Sequence, residues 1–209
     1  MPRRLPVRSC LFASEKTTNA NLVYPALGLV RVVRGAMIKR WVVCSLVLLV
    51  LYGCTRVPEG VEPVAGFNLE QYLGTWYEIA RLDHSFEKDL VDVTADYALR
   101  DDGGIRVTNR GRNTRTGEWE EANGKAYFLD APDSGSLKVS FFGPFYGGYH
   151  IARLDTDYRM ALVVGPTLEY AWILARTSEP DKALCDEFLT AAQQLGIERD
   201  LWIRIRNCR

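Results

Sequence analysis

The sequence predicts an all-β fold: an eight-stranded antiparallel up-and-down β-barrel, followed by a C-terminal α-helix and a final strand. Three observations lead there. From residue 75 onward, short segments alternate apolar and polar residues, the period of a strand with one buried face, and turn-forming residues separate them. The connections are too short for crossover helices, so sequence neighbours pair antiparallel. Hairpin-linked strands leave two bare edges unless the sheet closes, and a closed barrel of eight strands has room for one small ligand.

The elements follow in order. Thr75 to Arg81 is the first strand. In the second, Val91, Val93, Ala95, Tyr97 and Leu99 alternate with Asp92, Thr94, Asp96, Ala98 and Arg100. Asp101-Asp102-Gly103-Gly104 turns into Ile105 to Thr108, and Asn113 to Gly117 turns into Glu118 to Phe128. Ala131 to Gly135 leads to Leu137 to Phe142, and Gly147-Gly148 precedes Tyr149 to Leu154. Asp155-Thr156-Asp157 introduces Met160 to Val164, and Gly165-Pro166 introduces Tyr170 to Arg176. The helix begins at Ser178, whose spacing to Asp181 fits a capping box, with Pro180 in the first turn. Leu184, Phe188, Ala192 and Leu195 form its apolar stripe, directed at the outside of the barrel, and Gly196 ends it. Leu201 to Ile205 supplies the last strand.

The N-terminal quarter has a different character. Residues 1–53 hold eight of the 26 Lys/Arg and one of the 26 Asp/Glu, a balance of +7, and the rest of the chain is at −7. An acidic body argues against nucleic acid, which needs clustered cations. Trp41 to Leu51 is an apolar run of 11 residues, too short to span a bilayer, which takes about 20. Lys39 and Arg40 before it and small residues after it give the layout of a secretory signal starting at Met37. Residues 1–36 then read as an upstream over-extension of the reading frame or an unusually long leader, 37–53 as the signal peptide, 54–66 as Cys54 with a Pro/Gly-rich tether, and 67–209 as the barrel domain. From residue 54, 156 residues remain, enough for one well-filled core. Cys185 and Cys208 are left in an oxidising compartment, either as separate thiols or as a bridge across 23 residues worth about 3 kcal/mol.

Leu51-Tyr52-Gly53-Cys54 resembles the lipobox of bacterial lipoproteins, in which the Cys thiol is acylated and becomes the new N-terminus. With Thr55 rather than Asp next, the resemblance implies an outer-membrane protein, lipid-anchored at Cys54 and facing the periplasm. Gly74-Thr75-Trp76-Tyr77 matches the G-x-W-Y signature of lipocalins, Thr156-Asp157-Tyr158 before Ala161 to Val164 resembles their second motif, and Arg176 their third. The stretches 74–81, 124–128 and 138–149 look like the bacterial outer-membrane lipocalins, with apolipoprotein D-like members nearby. The resemblance implies that Trp76 and Arg176 close the barrel base, guanidinium over indole, with Gly74, Tyr77, Asp157 and Tyr158 as further structural residues.

Strand parity then points to the cavity. Trp172 and Leu174 share a face with Arg176, and Glu78 and Ala80 share one with Trp76. Tyr97, Tyr127, Val139, Phe141, Tyr149 and Ile151 are the apolar choices on other strands, so with Trp172 they make the expected ligand lining. Many aromatics, several with a polar tip, suit an acyl chain with its head near the mouth. Glu78 is costly on that face unless paired, by a nearby Arg or by a cationic head group.

The function expected is binding: storage or transport of fatty acids or lysophospholipids for envelope maintenance, without cofactor or metal. An isomerase-type enzyme lacks an inventory, because His84 and His150 read as loop or surface residues and no G-x-S-x-G or H-E-x-x-H motif occurs. A haem, pigment or siderophore carrier is the alternative, with Arg153 the main candidate cavity cation. Family analogy admits a homodimer, but no residue pattern decides it.

Overall fold

A computed structural model describes residues 54–204 and 206–209. The expected over-extension, signal peptide and lipobox before Cys54 lie outside them, as does Ile205. A short helix α1 (Leu69–Tyr72) leads into β1 (Gly74–Leu82), and a 3-10 turn at Ser85–Glu87 leads into β2 (Leu90–Leu99). Then come β3 (Ile105–Asn113), β4 (Trp119–Phe128), β5 (Ser136–Phe142), β6 (Phe145–Leu154), β7 (Met160–Val164) and β8 (Ala171–Ala175). Helix α2 (Lys182–Gln194) and β9 (Trp202–Arg204) finish the chain.

From β1 to β8 each strand pairs antiparallel with the next, and β1 closes the barrel by pairing with both β2 and β8. β1 manages three partners by dividing one edge. Gly74 to Tyr77 face β2, and Ala80 to Leu82 face β9. Alternation sorts the core into two. Trp76, Tyr97, Ile105, Val107, Ala126, Leu137, Ile151 and Val163 fill the inside of the barrel. Ile79, Met160, Leu162 and Ile173 pack outside against Cys185, Phe188 and Leu189 of α2. β7 is buried on both faces, and its sequence runs apolar without alternating.

Four local expectations are corrected. The helix cap is Asp181, whose carboxylate accepts from the N–H groups of Ala183 and Leu184, so Ser178 and Pro180 precede the helix. Gly147-Gly148 is strand rather than turn; the hairpin turns at Gly143-Pro144, with Phe142 opposite Phe145. Both histidines are buried, His84 in the loop that follows β1, as expected, and His150 within β6 rather than in a loop or at the surface. His150 holds Ser136 Oγ at 3.0 Å and the Arg56 carbonyl at 3.2 Å. Finally, residues 55–66 are docked rather than hanging as a tether. Gly148 N–H donates to the Cys54 carbonyl, Val64 N–H to Ile151 and Gly135 N–H to Val64, while Val61 is buried. A Cβ on Gly148 would stand 2.6 Å from His150 Nε2, and one on Gly135 2.7 Å from Val64, so bare glycine backbone lets the segment lie against the wall.

Candidate ligand-binding site

The end of the barrel where β1 begins is closed. Trp76 is fully buried and its indole N–H donates to the Tyr72 carbonyl at 2.8 Å. The Arg176 guanidinium lies 4.1 Å from the Trp76 ring centroid and donates to the carbonyls of Thr75 and Gln71. Gly74 sits at φ +88°, a left-handed backbone that glycine adopts without strain. Tyr158 Oη accepts from the Asn68 N–H at 2.8 Å, tying the β6–β7 loop to α1. Within that loop Asp155, not Asp157, is the organising carboxylate: it accepts from the N–H groups of Asp157 and Arg159 and pairs with the Arg159 guanidinium. Asp157 points to solvent. Tyr77 lies on the outer face under the Arg206 guanidinium.

The lower lumen is a packed plug. Tyr149 Oη stands 2.7 Å from Tyr72 Oη and 2.8 Å from Tyr97 Oη, so the three phenols satisfy one another. Burial pushes all three phenols up from their ordinary range, which keeps them neutral. The space left among Phe67, Tyr72, Tyr97, Ile105 and Tyr149 is about 10 Å³, less than a ligand needs. Tyr97, Tyr149 and Ile151 therefore face the lumen as expected, but they fill its floor.

The upper lumen is different. Val139, Phe141 and Trp172 face inward. Phe141 folds across Gly124, where a Cβ would meet its ring at 2.8 Å, and Gly147, opposite Val139, has nothing within 4 Å. Tyr127 is a correction. Its neighbour Ala126 takes the inner face, so Tyr127 lies on the outer one, with its hydroxyl on Asp102 at 2.9 Å and its ring near Tyr146. Arg153 is outside too, stacked on Phe188 and paired with Glu187 of α2. At the open end, Phe86, Trp119, Phe142 and Phe145 form an exposed aromatic rim.

A β-bulge in β1 decides the chemistry of this half. Glu78 stands opposite Leu174 and Ala80 opposite Ile173, so Ile79 is an extra residue. Ile79 and Ala80 both enter the outer core, which overturns the expectation that Ala80 faces the lumen. The alternation restarts with Arg81 inward. Arg81 Nη1 then reaches Glu78 Oε1 at 2.6 Å, although residues three apart in a regular strand face opposite ways. Its Nη2 donates to the carbonyls of Glu87 and Leu90, and its Nε lies 3.9 Å from Glu87 Oε2. Trp172 Nε1–H donates to Glu87 Oε2 at 3.0 Å. Desolvation, with the Glu87 charge next, pushes the Glu78 carboxyl up to about 8. Burial also raises Glu87 and lowers the His84 imidazole to about 4. Arg81, His84 and Glu87 were not anticipated as a site. The visible signal was the unlike charge pair Glu78/Arg81 on one short strand, which makes sense only with a bulge.

A closed antiparallel barrel with one plugged end, one open end, and a Trp–Arg stack under the plug defines a small-ligand binding protein of the lipocalin type. Residues 67–206 match the lipocalin-like domain family, and the chain belongs to it. Among relatives, the outer membrane lipoprotein Blc of Vibrio cholerae is 48% identical over 166 residues, 79% of this chain and 95% of that protein. The Escherichia coli K12 protein of the same name is 51% identical over 149 residues, 70% and 84% of the two chains. Mouse apolipoprotein D is 33% identical over 118 residues, 53% of this chain and 61% of its own. Among solved structures, the cockroach allergen Per a 4 superposes with TM-score 0.58 at 18% identity, covering 74% of this chain and 96% of its own. Insecticyanin of the tobacco hornworm Manduca sexta gives 0.57 at 20% identity, covering 72% and 86%. These two show the shared fold.

Proposed function

We propose that this protein is an outer-membrane lipoprotein, acylated at Cys54 and facing the periplasm, whose barrel binds a fatty acid or lysophospholipid. One observation carries the ligand class: a lumen whose apolar inner face is plugged at one end, while a charged cluster sits toward the other. An amphiphile matches that polarity, chain inward and head outward. Burying the chain contributes about 0.8 kcal/mol per methylene, so affinity needs no specific contact below the head. The names of the Blc relatives, as outer membrane lipoproteins, support the location. The role is binding and transfer rather than turnover.

Native mass spectrometry of the purified protein, exposed to a crude membrane-lipid extract, tests the reading. The expected result is an added mass equal to one fatty acid or single-chain phospholipid. A folded barrel that takes up neither from the extract would exclude the lipid-carrier function.

A further inference from the structure

The buried groups at the upper lumen balance only because a carboxyl keeps its proton. Glu78 and Glu87 bring two carboxyl groups to one guanidinium, Arg81, and all three are nearly inaccessible. Arg206, over the Tyr77 ring and 3.9 Å from Asp92, is the smallest of the charge effects on Glu78. His84 adds no charge near neutral pH, because burial holds its imidazole low. Arg81 donates to Oε1 of Glu78 and Trp172 to Oε2 of Glu87, so neither donor uses the second oxygen of its carboxyl. Neither ring nitrogen of His84 has a hydrogen bond among the described residues, although its side chain is 4% exposed and Nε2 stands 3.2 Å from Glu87. A buried polar group left unpaired is expensive, and so is an unbalanced buried charge.

Ring faces surround the same place. His84 stacks on Phe86 with centroids 4.1 Å apart and planes at 9°. Trp172 lies 5.1 Å from His84 and Tyr170 6.0 Å. The turn from β1 to β2, the turn from β7 to β8 and the start of β8 supply these rings, so they lie together at the open end, with Trp172 bonded to Glu87. Carboxylate oxygens with spare acceptor capacity beside aromatic faces are the chemistry that recognises an ammonium group.

We propose that Glu78, Glu87 and the ring faces of Phe86, Tyr170 and Trp172 form a head-group site selecting single-chain lipids that end in an ammonium group. The inference rests on the lipid-carrier reading and specifies its head-group preference. An ammonium takes the place of the proton that Glu78 keeps in the free chain, which leaves to solvent, and donates to the carboxylate oxygens that Arg81 and Trp172 do not use. Arg81 holds Glu78 and Glu87 in place from the other side, and the acyl chain runs along the wall formed by Val139, Phe141 and Gly147.

A competition measures this directly. The whole protein is incubated with equimolar palmitoyl lysophosphatidylethanolamine and palmitoyl lysophosphatidylglycerol, which share chain and phosphate and differ in the ammonium. Native mass spectrometry then reads the two bound masses. The ethanolamine lipid should dominate by about tenfold, equivalent to about 1.4 kcal/mol. In Glu87→Gln and Glu78→Gln that ratio should fall toward one. Equal occupancy in the natural chain, or an excess of the glycerol lipid, would overturn the head-group site while leaving lipid carriage intact. If neither lipid binds, the head-group site fails and lysophospholipid carriage fails with it.

Discussion

Glu78 keeps its proton in the folded chain at pH values where an ordinary carboxyl has lost it, because burial and the neighbouring Glu87 outweigh its pairing with Arg81. An unfolded chain binds that proton only near 4.5. The group's contribution to folding is therefore full below that range and falls as the pH rises toward about 8. Glu78→Gln stays neutral throughout, so it should gain stability relative to the natural chain between about pH 5 and about pH 9. Urea midpoints at the two ends would show it, and parallel pH curves for the two chains would show that Glu78 ionises normally. Arg176 offers a simpler test. It combines a cation–ring contact with hydrogen bonds to two backbone carbonyls, so Arg176→Ala should lose about 2 kcal/mol or more in denaturant unfolding. Arg176 was legible as a motif residue. Tyr127 was not, because choosing between Tyr127 and Ala126 as the inward residue needs the register, and a one-residue slip moves every side chain to the other face.

β1 is the element on which the proposed site turns. One inserted residue at Ile79 sends two apolar side chains to α2 and returns Arg81 to the lumen beside Glu78. Opposite, β4 and β5 meet closely where Phe141 covers Gly124. Gly124→Ala places a Cβ 2.8 Å from the Phe141 ring and 2.9 Å from the Ser140 carbonyl. The expected cost is about 1–3 kcal/mol, read by thermal unfolding, with Phe141 displaced toward the lumen. Outside the barrel, Cys185 of α2 and Cys208 of the C-terminal tail form a disulfide, which settles the alternatives left by spacing alone. Cys208→Ser reopens a 23-residue loop in the unfolded chain and should lower stability by about 3 kcal/mol under oxidising conditions. The same substitution should have no effect once the natural chain is reduced for comparison.

At the scale of the whole molecule, the docked segment from Cys54 to Val64 fixes where the chain leaves the barrel wall, beside Gly148 of β6. If Cys54 carries acyl chains, Cys54→Ser should move the protein from the membrane to the soluble fraction of the cell envelope, followed by immunoblot of the separated fractions. Membrane retention of that variant would place the anchor elsewhere. The order of eight strands, helix and strand was legible from residues alone because period, turn chemistry and short connections are local properties. The base of the barrel was legible too, since Gly74, Trp76 and Arg176 are a recognisable set that must meet when the barrel closes. What only the tertiary structure decided is where the alternation breaks. The bulge at Ile79 satisfies the outer core through Ile79 and Ala80, and no local rule in the first strand announces it. From that one break follow the inward Arg81, the carboxyls gathered beside it, and the polar lip of an otherwise apolar barrel, because burial energies across both faces of the sheet set the register that the strand's own sequence leaves open.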